Sequence, residues 1–373
     1  MDSRFQKFAE TLVHYCVGVR PGDKVIIDSY DSTPLELLEA VAREVTKAKG
    51  IYTLWWNNQG LQASLVANAT AEQLQFNGIG RLAQTQQSDC SIIIKGPTNQ
   101  FEFRDVSAEQ MQLFHKGIDK QITDYRINRT RWVLTRMWTP AMAQAASMST
   151  RAFTDFYLET VLLDYGKMSR AMDPLFELMS GANRVRIISP DTDLTFSIQG
   201  IPAIKCDGHC NIPDGEVYTA PVRDSVNGVI HYNTPSVIEG QEFGGIRFEF
   251  KAGKIVHATC ESGDARRMNA YLDTDEGARY IGEFAIGFNP MILHPMKDIL
   301  FDEKIAGSLH LTPGRCYEEA PNGNDSAIHW DIVLIQRPEH GGGEIYFDDV
   351  LIRKDGLFVP EELQGLNPGN LLS

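Results

Sequence analysis

The sequence has few cysteines, a deficit of positive charge and no long apolar run. Six cysteines among 373 residues are too sparse for a disulfide framework, so we expect reduced thiols and a cytoplasmic protein. Lys and Arg number 35 against 49 Asp and Glu, and the formal net charge of −14 argues against nucleic acids and anionic membranes as partners. The sequence contains neither a stretch as apolar and as long as a membrane span nor the apolar region of a signal peptide near its start.

Two common catalytic or cofactor-binding motifs are also missing. No GxGxxG follows the first apolar run, and Asp28 and Asp31 stand where a nucleotide-binding turn would carry glycine. No GxSxG nucleophile elbow occurs, and no cysteine lies in an obviously activating context. The sequence therefore gives little support to a dinucleotide-binding enzyme or to a serine or cysteine hydrolase.

The N-terminal half alternates apolar strands with amphipathic helices. "KVIID" predicts a strand that starts at Lys24, Ser32 or Thr33 can cap the following helix, and Gly50 ends that helix before the strand "IYTLWW". Further strands are predicted at 88–96 and 131–140. Strands that alternate with helices indicate a parallel sheet covered on both faces, so we predict an α/β domain over residues 1–183.

The pattern changes in the second half. Residues 149–179 are predicted to be helical, with breaks near Gly166 and Pro174, and from about 184 apolar and polar residues alternate as in strands. A hairpin is predicted to turn at Ala252 and Gly253. We therefore predict a strand-rich α+β domain over residues 184–373, and we expect it to bind metal for the reasons that follow.

The segment "SAIHWDIV" places two potential metal ligands in an apolar context. If it forms a strand, His329 and Asp331 lie on one face, while Ile328, Trp330 and Ile332 lie on the other. An imidazole and a carboxylate on one face of a mostly buried strand need either a hydrogen-bond network or a cation.

Four other residues belong to the same kind of context: Glu216, Glu283, His310 and Tyr317. Taken singly, Glu216 after a glycine is typical of a solvated carboxylate, and His310 of a core histidine. Glu283 is harder to explain, because an unpaired buried carboxylate costs several kcal/mol. Together the six groups suit borderline or hard divalent cations, and they exceed one tetrahedral site, which suggests two ions that share a carboxylate.

Two other clusters are weaker candidates. "CDGHC" offers Cys206, His209 and Cys210, which cannot enclose a tetrahedral zinc alone. "EHGGGEIYFDD" is more typical of a solvated hairpin than of a site, although it offers several possible ligands: His340, Glu344, Asp348 and Asp349.

At these residues the sequence resembles the M29 family of metallo-aminopeptidases, of the aminopeptidase T type. The resemblance rests on the motifs "NIPDGEVYTAP", "GEFAIGFNP", "AGSLHLTPGRCY" and "HWDIV", with "GVRPGDKVII" near the N-terminus. It implies a homodimer that removes N-terminal residues from short peptides. It also implies a two-metal site, for which we expect Zn, Co or Mn, with the ligands Glu216, Glu283, His310, Tyr317, His329 and Asp331.

The expected chemistry is amide hydrolysis by a metal-activated water, with Glu216 or Glu283 as the general base and Tyr317 as a ligand or oxyanion donor. Two alternatives stay open. The same fold resembles a mononuclear Fe(II) dioxygenase of dihydroxypyridines, in which a His stands where Glu283 stands here. The chain could also be a metal- or peptide-binding protein without catalysis, although all six candidate ligands are present.

Overall fold

The computed structural model describes residues 2–238 and 240–373. Contacts within the chain group these residues into two compact units. The N-terminal unit comprises the chain up to Leu162 together with Gly208–Pro213, and the C-terminal unit comprises Leu163–Asp207 and Asp214–Ser373. The sequence-based boundary between 183 and 184 stays a prediction. Within the described residues, no helix is both long and apolar enough to cross a membrane.

The N-terminal unit is built on a parallel sheet, as the sequence predicts. Its strands are β1 (Lys24–Tyr30), β2 (Ile51–Asn57), β3 (Cys90–Lys95), β4 (Arg131–Arg136) and the short β8 (Asn211–Ile212), in the order β2-β1-β3-β4-β8. Its helices are α1 (Ser3–Glu10), which continues as a π-helical segment (Thr11–Cys16), α2 (Leu35–Lys47), α3 (Gln59–Asn68), α4 (Ala71–Thr85), α5 (Ala108–Lys116), α6 (Ile118–Arg129), α7 (Pro140–Ala145) and α8 (Thr150–Val161).

The start of α2 differs from the prediction. Pro34 occupies the N-cap position, and neither Ser32 nor Thr33 caps the helix. The Ser32 hydroxyl donates instead to the carbonyl oxygen of Gly96, at 2.6 Å. Proline is tolerated here because the first N–H groups of a helix have no partner within the helix.

The C-terminal unit is rich in antiparallel strands. These are β5 (Arg184–Ser189), β6 (Thr192–Ser197), β7 (Ile204–Cys206), β9 (Glu216–Thr219), β10 (Asn227–His231), β11 (Ser236–Ile238), β12 (Gln241–Phe243), β13 (Arg247–Lys251), β14 (Lys254–Thr259), β15 (Ile281–Gly287), β16 (Ser308–Pro313), β17 (Ile332–Ile335), β18 (Glu344–Phe347), β19 (Val350–Lys354) and β20 (Leu357–Phe358). Its helices are α9 (Tyr165–Gly181), α10 (Ala265–Leu272), α11 (Ile299–Asp302) and α12 (Pro368–Leu371), with 3-10 turns at Pro338–His340 and Glu361–Leu366.

Two larger sheets organise the C-terminal unit. One has the order β14-β13-β10-β6-β5-β18-β19-β20, the other β17-β16-β15-β9-β7, and β11 pairs with β12 separately. Phe196 of the first sheet meets Phe284 of the second edge-on, with ring centroids 5.0 Å apart, so apolar side chains from both sheets meet in one core. The structure thus has an N-terminal α/β unit followed by a strand-rich C-terminal unit, which confirms the predicted fold class.

Local predictions in this unit have mixed outcomes. The hairpin between β13 and β14 turns at Ala252 and Gly253, both with positive φ, as predicted. The predicted helix break at Pro174 is wrong, because α9 runs through it from Tyr165 to Gly181. The buried stripe of Met168, Met172 and other apolar side chains of α9 gains enough from burial to outweigh the hydrogen bond lost at the proline.

Candidate metal centre

Three candidate ligands come from neighbouring strands of the five-stranded sheet. Glu216 is opposite Gly287 in the pairing of β9 with β15, and His310 is opposite Ala285 in the pairing of β15 with β16. Glu283 alternates with Ala285 and Gly287 along β15, so all three candidate ligands share one face. The small residues between them leave the ligand side chains room to converge.

His329 and Asp331 approach this face from an irregular segment. The predicted strand over 326–333 is wrong in its first part, because β17 begins at Ile332, and His329 forms only an isolated bridge with Gly314. Gly314 has φ of +111°, a backbone conformation that interrupts the regular ladder. The predicted meeting of the two side chains nevertheless occurs, with Nε2 of His329 at 3.2 Å from Oδ1 of Asp331.

The five side chains form one continuous cluster. Nδ1 of His310 is 3.7 Å from Oε2 of Glu216, and its Nε2 is 3.5 Å from Oε1 of Glu283. The other oxygen of Glu283, Oε2, is 3.2 Å from Nε2 of His329. Glu216, Glu283 and His310 are at most 3% exposed. A ligand-grade atom from each of Glu283, His310 and Asp331 lies within 4.8 Å of the others.

Several polar atoms of the cluster have no hydrogen-bond partner among the described residues. They are Oε2 of Glu216, both ring nitrogens of His310 and Nε2 of His329. Leaving a buried polar atom unpaired costs about 1–3 kcal/mol, so this many in one place indicates a missing partner. A cation would satisfy the atoms that carry a free lone pair, namely Oε2 of Glu216, Nε2 of His329 and one ring nitrogen of His310, and these residue types fit Zn, Co or Mn.

The orientation of His329 also fits a metal ligand. Its Nδ1 lies 2.8 Å from the carbonyl oxygen of Arg315, which can only accept a hydrogen bond. Nδ1 therefore carries the proton, and in the neutral ring Nε2 presents a lone pair to the cluster. Thr312 plays a similar orienting role, because its hydroxyl donates to Oδ1 of Asp331 at 2.6 Å.

The field inside the cluster favours positive charge. Burial alone would lower the pKa of both imidazoles, but contact with Glu283 and the neighbouring carboxylates raises the pKa of His310 to about 9. Asp331 and Glu283 raise the pKa of His329 to about 12. Burial opposes ionisation of Asp331, and the nearby His329 nevertheless holds the pKa of its carboxyl well below the usual range. A divalent cation would meet the same field.

A buried lysine, which the sequence interpretation missed, supports Glu216. Nζ of Lys304 donates to Oε1 of Glu216 at 2.6 Å and to Oε2 of Glu303 at 2.5 Å, and it lies 3.8 Å from Oδ1 of Asp214. The Lys304 side chain is 1% exposed. Nothing in "FDEKIAG" distinguishes this lysine from a solvated one, because its partners Glu216 and Asp214 are distant in sequence.

Tyr317 lies at the margin of the cluster. Its ring centroid is 4.8 Å from that of His329 and 5.5 Å from that of Tyr218, and the residue is 44% exposed. The ring thus lies beside the imidazole, while burial and the nearby carboxylates of Glu283 and Asp331 raise the pKa of the Tyr317 hydroxyl. Of the weaker candidates, Glu344 accepts hydrogen bonds from Tyr346 and Lys354 on the hairpin surface.

Comparison with known proteins gives the class of the protein. A family model described as "Thermophilic metalloprotease (M29)" matches residues 1–345. Aminopeptidase 2 of Geobacillus stearothermophilus is 24% identical, with 96% of each chain covered. In fold, the chain resembles the wild-type AmpT structure from Thermus thermophilus (TM-score 0.76, 21% identity, 96% of this chain and 99% of that one). It also resembles 2,5-dihydroxypyridine dioxygenase of Pseudomonas putida KT2440 (TM-score 0.63, 15% identity, 96% and 98% covered).

These findings define a metalloprotease. More specifically, the chain belongs to the M29 family and is a metallo-aminopeptidase, which confirms the resemblance seen in the sequence. The candidate ligand groups are consistent with a metal-dependent enzyme.

Proposed function

We propose that the chain removes N-terminal residues from short peptides with two divalent ions, Zn, Co or Mn. The residues that would hold them are Glu216, Glu283, His310, His329 and Asp331, with Tyr317 either as a further ligand or as the oxyanion donor. The observation that carries the proposal is the set of buried carboxylate and imidazole atoms without hydrogen-bond partners on one face of the sheet. When bound, such ions supply a water of lowered pKa and polarise the scissile carbonyl.

The two glutamates differ in how firmly the protein holds them. Oε1 of Glu216 is fixed by the Lys304 ammonium at 2.6 Å. Among the described residues, the Glu283 carboxylate forms ion pairs only with the imidazoles of His310 and His329, at 3.5 and 3.2 Å. We therefore assign proton transfer to Glu283: it takes the proton of the attacking water as the O–C bond forms and passes it to the leaving amine as the C–N bond breaks.

Tyr317 supports the developing oxyanion in this scheme. Its ring packs against His329, and burial together with the charges of Glu283 and Asp331 raises the pKa of its hydroxyl, which therefore stays protonated and can donate to a substrate oxygen. A hydrogen bond to the oxyanion would stabilise the transition state by a few kcal/mol. In its alternative role, Tyr317 would ligate one of the ions through its phenol oxygen.

A small cavity beside the cluster suits the side chain of the N-terminal residue. It has a volume of about 120 Å³, and His329 and Asp331 are among its lining residues. Val237, Ile299 and Val333 contribute apolar walls. Trp330 is fixed there by a 2.8 Å hydrogen bond from its Nε1 to Ser236. We therefore propose a preference for small apolar N-terminal residues.

The test combines elemental analysis with an assay. We expect two divalent ions per chain, and hydrolysis of a peptide with a free N-terminus such as Ala-Ala-Phe but not of its N-acetylated form. Chelation should abolish turnover, and Zn²⁺, Co²⁺ or Mn²⁺ should restore it. Turnover that is indifferent to chelators would contradict the two-metal proposal.

The dioxygenase alternative is separated by metal count and oxygen. It requires one Fe(II) held by two His and one carboxylate. Glu283 places an additional carboxylate in the cluster, so we expect no oxygen uptake with Fe(II) and a dihydroxypyridine. Oxygen consumption with one iron per chain would replace the proposed peptide hydrolysis by ring cleavage.

Homodimerisation is part of the proposal and rests on the family. Light scattering at micromolar concentration should give twice the 41.7 kDa mass of the chain. A monomer under those conditions would contradict it. Cytoplasmic localisation and the absence of nucleic-acid partners stay predictions.

A further inference from the structure

A second cavity lies in the N-terminal unit, at the carboxyl ends of its parallel strands. The sheet has the strand order β2-β1-β3-β4. The chain passes from β1 to β2 on one side of β1 and then crosses to β3 on the other side, so the strand order reverses between β1 and β3. Ligands of open parallel sheets bind outside the carboxyl ends of the strands at such a point. Tyr30, Asn57 and Lys95, near the ends of three of these strands, line a cavity of about 350 Å³, within the usual size range of small-molecule sites.

Part of the charge in this cavity is already paired. Arg126 donates to Oδ2 of Asp28 at 2.9 Å, and Asn57 donates to Oδ1 of the same carboxylate at 2.8 Å. The guanidinium of Arg81 lies over the ring of Trp55, 5.0 Å from its centroid. These contacts pair the Asp28 carboxylate with Arg126 and hold both side chains in the wall of the cavity.

Two lining groups of opposite charge lack such partners. Among the described residues, the Lys95 ammonium has no hydrogen bond or ion pair, and the nearest cationic group to Asp119 is His115, 3.8 Å away on an exposed ring. Lys95 and Asp119 are near enough that each influences the pKa of the other, yet they do not form an ion pair. Burial lowers the pKa of Lys95 and raises the pKa of Asp119, although the Asp119 side chain stays 39% exposed and therefore accessible to a ligand.

The lining also has an apolar part, which Phe103, Met111, Phe114 and Ile122 contribute, beside the neutral polar residues Gln62 and Thr123. A phosphate ligand fits poorly, because Asp28 near the end of β1 and Asp31 just after it stand in place of the glycines of a phosphate-binding loop. A ligand with one carboxylate, one ammonium and an apolar side chain complements all three parts of the cavity.

We propose that this cavity binds a free α-amino acid with an apolar side chain, its carboxylate on Lys95 and its ammonium on Asp119. This is the class of molecule that an aminopeptidase releases. Occupancy of the site would therefore increase with the local concentration of product. The proposal concerns the N-terminal unit alone and does not depend on the number of metals in the C-terminal unit.

The first test uses analogues and needs no variant. Binding of L-leucine to the full, chelator-treated chain is measured by calorimetry, because removal of metal suppresses product binding at the metal centre. We expect saturable binding of one leucine per chain, and about tenfold or greater weakening for N-acetyl-L-leucine and for L-leucinamide, each of which lacks one charge. Absence of saturation up to about 10 mM leucine, or equal binding of either analogue, would overturn the proposal.

The second test locates the site. Lys95→Met and Asp119→Asn should each weaken leucine binding about tenfold or more. Two controls are matched to them: the exposed Lys116→Met on α5, and Asp124→Asn on α6, whose carboxylate pairs with Lys120 at 2.5 Å. Both controls should bind leucine as the unsubstituted chain does. Unchanged binding in correctly folded Lys95→Met and Asp119→Asn would place the amino acid elsewhere and refute the site.

Discussion

Lys304 and Glu216 form an ion pair with Nζ and Oε1 2.6 Å apart, and their side chains are 1% and 4% exposed. The same ammonium also forms an ion pair with Glu303 and lies 3.8 Å from Oδ1 of Asp214, so the one positive charge of Lys304 faces three carboxylates. Burial of this much negative charge is tolerated only when cations compensate it. The lysine provides part of that compensation permanently, and a bound metal would provide the rest.

Lys304→Met should strongly destabilise the metal-free protein. Removing one partner of a buried pair costs about 3–5 kcal/mol, because the other charges stay buried without compensation. The control is Lys297→Met, since Lys297 and Glu242 form an exposed pair at 2.7 Å that contributes about 1 kcal/mol or less. Thermal unfolding of both variants after chelation checks this. Equal losses in the two variants would show that Lys304 does not compensate the carboxylates.

Thr312→Val should weaken metal binding without unfolding the sheet. The variant loses the 2.6 Å hydrogen bond that orients Asp331 but keeps the shape of the side chain. Loss of such an orienting partner typically reduces metal affinity about 10–100-fold. Thr312→Ser keeps the hydroxyl and should keep the affinity. The measurement is competitive titration with a chromogenic chelator, and equal affinities of the Val and Ser variants would remove Thr312 from the site.

Glu283→His should reduce occupancy from two ions to one and stop hydrolysis. Two adjacent dications repel each other and need anionic ligands, and a neutral imidazole supplies no charge. Asp331→Ala should lose metal and activity as well. Elemental analysis and peptide turnover of the purified variants check both expectations. Two ions in Glu283→His, or full activity in Asp331→Ala, would exclude the corresponding residue from the metal centre.

Glu44 should stabilise the N-terminal unit at neutral pH but not in acid. Burial alone would raise the pKa of Glu44, but hydrogen bonds from Lys47, His14 and Gln6 lower it to about 2. A carboxyl with a depressed pKa in the folded state stabilises above its unfolded pKa of 4.5, and that contribution is lost as the pH falls toward 2.

The corresponding comparison is Glu44→Gln against the unsubstituted chain. Solvent screens the interactions of Glu44 with the exposed side chains of Lys47 and His14. We therefore expect the free energy of unfolding of Glu44→Gln to be lower than that of the unsubstituted chain by about 1–2 kcal/mol at pH 7, and this difference should shrink toward zero near pH 2. Urea unfolding across this range measures it. Glu10→Gln, an exposed neighbour on α1, is the control and should show a much smaller difference. A Glu44→Gln difference that does not change with pH would contradict the assignment.

The sequence predicted features that depend on local pattern. The parallel strands, the hairpin at Ala252 and Gly253, and the proximity of His329 and Asp331 all follow from periodicity or short spacing. Features that depend on tertiary contacts were not predictable in this way. Lys304 binds Glu216, whose position depends on the pairing of β9 with β15. The continuation of α9 through Pro174 depends on the packing of the apolar face of this helix.

The candidate ligands follow one another across one sheet, from Glu216 on β9 through Glu283 and His310 to Asp331, which directly precedes β17. Because β9 and β15 are far apart in sequence, their pairing carries a larger loop-closure entropy than that of β15 with β16 or of β16 with β17, and it is expected late in folding. A slip of one residue between β15 and β16 would turn His310 to the opposite face. High-affinity metal binding therefore requires the whole sheet to be assembled in register. A chain that is truncated, or whose strands pair out of register, should not bind metal with high affinity.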